Sequence, residues 1–155
     1  MRSQEVRAGF TLIELLGVLA LLGIIFSILA LNVQGLNNDA ESAASILSGA
    51  LIQSRTQAMS DSVAVRATLS GNALVFATNT TCTATTGWTA ISTIGAPLPA
   101  GVKLSIDLPT VTTWQACYSA RGELPTPPGA ALRIVDSRLR QRTLTLYMAG
   151  SVQIQ

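Results

Sequence analysis

Residues 10–33 form a run of apolar side chains interrupted by one charge, Glu14, and no other feature constrains this chain as strongly. Counted from Phe10, the run is long enough to cross a hydrocarbon core of ~30 Å as a helix. A lone carboxylate at that depth costs roughly 2.5–3.5 kcal/mol on insertion scales, and such groups ordinarily face a protein partner or a watery cavity rather than lipid. Arg2 and Arg7 precede the run against a single Glu5, so the positive-inside rule leaves the N-terminus in the cytoplasm and the rest of the chain outside it.

Composition supports an anchored protein with one modest domain. The chain has 155 residues, of which only 12% are charged, and its net charge is +2, too small to argue for nucleic acid by itself. Histidine is absent from the sequence, which removes the commonest general base and metal ligand. The serines and threonines therefore have no imidazole to activate them. Asp107, Glu123 and Asp136 lack the spacing of a calcium loop, so neither an enzyme nor a cofactor is expected.

Beyond the apolar run, residues 37–59 place Ala43, Ile46, Leu47, Ala50, Leu51 and Ala58 at intervals of three and four, with polar residues between them. This is the pattern of an amphipathic helix. The expectation is one long helix, apolar all round in its first half and amphipathic in its second, with Asn32 and Gly35 as the weak point.

From residue 62 onward the period falls to two. Segments 63–69 and 73–77 flank Ser70-Gly71-Asn72, a hairpin signal, and further strands are expected at 88–94, 102–108, 111–118, 131–135, 143–148 and 151–155. Leu144, Leu146 and Met148 should share one face. The fold class is therefore α+β, with antiparallel sheets packed on the amphipathic half of the helix. The segments are 1–9 as a short polar stretch ahead of the run, 10–33 as transmembrane helix, 34–61 as its amphipathic extension and 62–155 as a β-rich globular domain.

Two cysteines, Cys82 and Cys117, fall in the part expected outside the cytoplasm. A disulfide persists there, and the even count favours one over two buried thiols. Arg138, Arg140 and Arg142 recur at every second residue just before Leu144. A core face cannot also be a row of guanidiniums, so a bulge or loop is expected before Leu144. The arginines would then form a solvated basic loop, pair with Asp136 or Glu123, or offer forks to phosphates.

The stretch "GFTLIELLGVLALLGII" (9–25) resembles the leader junction of type IV pilins and type II secretion pseudopilins, and "ILSGALIQSRTQAMSDSVAV" (46–65) is similar to the helix end and first strand of their GspH/FimT-like minor members. The resemblance implies cleavage by a prepilin peptidase between Gly9 and Phe10, and N-methylation of Phe10. It also implies insertion in the bacterial inner membrane and later incorporation, with an inner-membrane assembly platform, into a pilus or pseudopilus made with other pilin subunits. In such fibres Glu14 would meet the N-terminal amine of a neighbouring subunit, turning a lone buried charge into a paired one. Some FimT-like pilins take up DNA, which makes DNA an alternative partner for Arg138, Arg140 and Arg142. The sequence departs from the commonest pattern in having Ala8 before Gly9 and no proline near the end of the apolar run.

Overall fold

A computed structural model describes residues 11–36 and 38–155, and the side chains of these except for 28–36. The cleavage-site residues Gly9 and Phe10 lie outside the described residues. The chain divides between residues 37 and 38 into two compact units.

The first unit contains α1 (Leu12–Leu36). Leu12, Ile13, Leu15, Val18, Leu21 and Ile25 are all exposed, so residues 12–27 present apolar surface on every side. Among the residues whose side chains are described, no helix is long and apolar enough to cross a membrane.

The second unit is built on α2 (Asp39–Ser60). In place of one continuous helix, α1 runs through Asn32 and Gly35 to Leu36 and a second helix starts at Asp39. The reason is local. Asn38 holds extended backbone, φ −100° and ψ 91°, and its side-chain oxygen accepts the Glu41 N–H at 3.2 Å, which caps a new helix. The buried face of α2 comprises Ala40, Ala43, Ala44, Leu47, Ala50, Leu51, Ser54 and Ala58. Five of these are alanines, which let two sheets approach the helix closely while Leu47 and Leu51 fill the space between. Ser54 is buried without penalty because its hydroxyl donates to the Ala50 carbonyl at 2.8 Å.

Eight strands form two antiparallel four-stranded sheets. The first has the order β3-β2-β1-β5 and the second β4-β6-β7-β8. Their ranges are β1 (Ala64–Ser70), β2 (Ala73–Asn79), β3 (Thr89–Ile91), β4 (Lys103–Ile106), β5 (Gln115–Tyr118), β6 (Leu132–Val135), β7 (Gln141–Leu146) and β8 (Val152–Ile154). Every expected strand is present, though β2 runs on to Asn79 and the others are shortened or shifted at their ends. The long strands lie inside the sheets, and the edges β3, β5, β4 and β8 have only three or four residues each.

Alternation places Val65, Ala67, Leu74, Phe76, Ala116 and Tyr118 of the first sheet on the core with Leu104, Leu132, Ile134, Leu144 and Leu146 of the second. Met148 does not join Leu144 and Leu146. The strand ends at Leu146, and Met148 sits in the following turn, 63% exposed. Two side chains tie the sheets together. Asn72, in the β1–β2 turn, donates to the Val102 carbonyl at 2.8 Å and accepts the Leu104 N–H at 2.7 Å. Trp114 is buried just before β5 and donates its indole N–H to the Ala130 carbonyl just before β6.

Candidate functional site

At its first turn α1 answers part of the question posed by Glu14. Thr11 precedes the helix, and its backbone N–H and hydroxyl both donate to Glu14 Oε2 at 2.9 Å, while the Glu14 N–H lies 3.4 Å from the Thr11 hydroxyl. This is a reciprocal capping box, Thr at the cap and Glu three residues on. The carboxylate is therefore satisfied within its own chain, on the positive end of its own helix. The sequence carried the signal as T-L-I-E, a spacing that the apolar run obscures.

The three arginines gather around the β6–β7 turn, although not as expected. β7 pairs regularly with β6, Ile134 opposite Arg142 and Leu132 opposite Leu144, so no bulge separates the arginines from the core face. Arg142 stands on that face at its rim. It is tolerated there because Glu41, in the first turn of α2, receives its Nε. Arg140 donates from Nε to Asp136 at 2.6 Å, and Arg138 lies in the turn itself, exposed. Of the two carboxylates expected as partners, Asp136 takes that role. Glu123 does not, and Glu41, far away in sequence, does.

Asp136 organises the turn. Its Oδ1 accepts the backbone N–H groups of Arg138 and Arg140, each at 2.9 Å, and Oδ2 accepts the Arg140 guanidinium. Burial by itself pushes this carboxyl up, but the Arg140 and Arg138 donors outweigh it and hold the group below its ordinary value of 3.8. An unfolded chain therefore binds the proton more readily than the folded one. The stabilisation is complete above the unfolded aspartate range and is lost as the pH falls through the lowered folded value. Asp136→Asn is expected to lower the denaturant midpoint at neutral pH and to flatten its decline in acid. Parallel acid profiles for the two proteins would show that Asp136 contributes nothing.

The structure joins Cys82 and Cys117 in a disulfide, Cα to Cα 5.8 Å. Cys117 in β5 lies opposite Arg66 in β1, and Arg66 opposite Ala77 in β2. The Arg66 guanidinium stacks 3.9 Å from the centroid of the Trp88 ring. Disulfide and stack thus fasten both ends of the loop 80–88 to the outer side of the first sheet. A cleft of about 370 Å³ adjoins the bridge, lined by Thr113, Gln115, Pro125 and Pro127 among others, with no titratable side chain in its wall. Among the described residues no group of three or more His, Cys, Asp or Glu is placed to hold a metal.

One knot of residues had only a faint signal in the sequence. Arg55 of α2 threads between Gly122 and Gly150, whose backbones have φ +73° and +78°. A Cβ on Gly150 would stand 2.2 Å from the Gly122 carbonyl oxygen and 3.0 Å from Arg55 Nε, and one on Gly122 would stand 2.6 Å from Met59 Sδ. Arg55 Nε and the Tyr118 hydroxyl are buried beside one another's elements without a hydrogen-bond partner among the described residues. Burial pushes the Tyr118 hydroxyl up to about 12, against the opposing pull of the Arg55 charge.

Residues 6–30 match the family described as the prokaryotic N-terminal methylation motif. No curated protein matches this chain. Two solved structures share its fold. The minor pseudopilin EpsH from the type 2 secretion system of Vibrio cholerae is 19% identical, with a TM-score of 0.56 over 76% of this chain and 97% of that one. The type IV minor pilin FimU of Pseudomonas aeruginosa strain PAO1 is 20% identical, with a TM-score of 0.53 over 76% of this chain and 89% of that one. Residues 6–30 thus carry the methylation motif, and the domain that follows has the fold of these two proteins.

Proposed function

We propose that this chain is a minor pilin or pseudopilin: a structural subunit held in the bacterial inner membrane by its N-terminal segment, processed between Gly9 and Phe10, and built into a short fibre with other subunits. The observation that carries the reading is the methylation motif over residues 6–30, placed ahead of a domain with the fold of EpsH and FimU. In this reading the capping box supplies Glu14 with partners while the chain waits in the bilayer. Assembly then exchanges or supplements them with the amine of a neighbouring Phe10, fixing the register of one helix against the next.

A DNA-receptor role for Arg138, Arg140 and Arg142 has less support. Arg140 and Arg142 direct guanidinium edges at Asp136 and Glu41 of the same chain, which reduces what they can offer a phosphate.

Mass spectrometry of the protein from its host membranes tests the reading. The expected N-terminus is N-methylated Phe10, and an intact leader, or cleavage near Ala30, would overturn it. In the same preparation Glu14→Ala should carry the same N-terminus yet be missing from sheared fibres. Its normal incorporation would remove Glu14 from assembly.

A further inference from the structure

We propose that the β6–β7 turn, residues 136–140, is a bilayer-contact site in which Leu139 enters the interfacial zone of the membrane while Arg138 meets its anionic headgroups. The proposal rests on the anchored state proposed above.

Leu139 is 79% exposed, the most exposed large apolar side chain of the second unit, and its φ is +62°. Leucine in the left-handed region is strained, where Gly or Asn would sit with little cost. Since the side chain packs against almost nothing, folding gains no compensation from keeping a leucine there, and an unrepaid strain of this kind points to a task outside the fold.

The turn that presents it is rigid. The Asp136 carboxylate takes the N–H groups of Arg138 and Arg140, the Leu139 N–H donates to the Asp136 carbonyl at 3.0 Å, and the Asp136 N–H donates to the Arg140 carbonyl at 3.1 Å. A fixed loop lifts an apolar residue beside Arg138, the pattern expected at a lipid interface, where the aliphatic group enters the acyl boundary and the cation stays with phosphates.

Location within the unit singles out the bilayer. The pair of Arg142 with Glu41 sets this end of β7 against the first turn of α2, so the turn lies at the N-terminal end of α2, where this unit begins. The carboxylates there are Asp39, Glu41 and Asp136. Glu41 and Asp136 face Arg142 and Arg140, leaving Arg138 and the neighbouring strand residue Lys103 against Asp39 alone. One leucine and one or two cations bind a membrane weakly in isolation. For a chain already anchored, the contact is intramolecular in effect, and a high effective concentration makes a weak contact count.

The test places tryptophan at the turn in the full-length chain, reconstituted in vesicles of equal parts phosphatidylglycerol and phosphatidylcholine with brominated acyl chains. Leu139→Trp is compared with Met148→Trp, an exposed site at the other end of β7, and with the unsubstituted protein, whose Trp88 and Trp114 give the background. The expected result is loss of about half of the emission added at residue 139, with little loss at 148, and weaker quenching in pure phosphatidylcholine or when Arg138→Glu is combined with Leu139→Trp. Equal quenching at 139 and 148 in a chain that floats with the vesicles overturns the proposal and leaves the anchor reading intact. A chain that does not float overturns both. An emission shift at 139 caused by duplex DNA without vesicles, and absent with them, assigns the turn to nucleic acid instead.

Discussion

Gly150→Ala is expected to lower the thermal midpoint of the protein by on the order of 10–20 °C, the largest loss among the glycine-to-alanine changes compared below. Two penalties coincide. The backbone at φ +78° is in the region that L-residues avoid, a cost of roughly 1–2 kcal/mol. The new methyl would lie 2.2 Å from the Gly122 carbonyl oxygen, a backbone atom that cannot swing aside, and overpacking of that kind adds about 1–3 kcal/mol. Against a total stability of about 5–15 kcal/mol, the sum is a large fraction. Two other glycines provide an internal scale. Gly122→Ala should cost less, because the methyl meets first the thioether of Met59, the far end of a flexible side chain. Gly71→Ala should cost only the backbone penalty, since its φ is +59° with nothing within 4 Å. Thermal melts of the three variants should rank 150, 122, 71, and a melt of Gly150→Ala equal to that of Gly71→Ala would show that the Arg55 knot opens freely.

Replacing both Cys82 and Cys117 with alanine, or reducing the bridge, should cost about 3–4 kcal/mol, the loop-closure entropy of a loop of this size in the unfolded chain. The bridge spans 35 positions of sequence. The effect should be local as well as global. The loop 80–88 is held at one end by the bridge and at the other by the stack of Trp88 on Arg66, so losing the first puts strain on the second. Acrylamide should then quench Trp88 more readily, while Trp114, buried and bonded to the Ala130 carbonyl, should change little. A reduced protein with an unaltered melting temperature and unaltered quenching would show that the loop is held without its disulfide.

Local chemistry was legible in the sequence, and long-range chemistry was not. The eight strands follow from alternation and the face of α2 from its three-and-four spacing, because each pattern is complete within a few residues. Both helix starts were written in the same code, Thr11 before Glu14 and Asn38 before Glu41, acceptor and acid three apart. The second of these explains why a new helix begins at Asp39. The division of the strands into two sheets had no such local mark. β5 joins β1 across the intervening β2, β3 and β4, and nothing in either segment names its partner. The role of Arg142 was hidden for the same reason, since the carboxylate that lets it sit on a core face lies 101 residues away. Arg55 could be located as part of a family-like stretch. The two glycines that make room for it are distant in sequence, and their turns look like any others.

The brevity of the four edge strands has a consequence wherever copies of this domain meet at high density. An open sheet edge is a template on which another chain can add a strand, and crowding raises the rate of that accident. Here the seven-residue strands β1 and β2 are enclosed by partners, and what each sheet offers the outside is a backbone ledge of three or four residues, too short to hold a foreign strand in register. Neighbouring copies can therefore be brought close without their sheets fusing edge to edge.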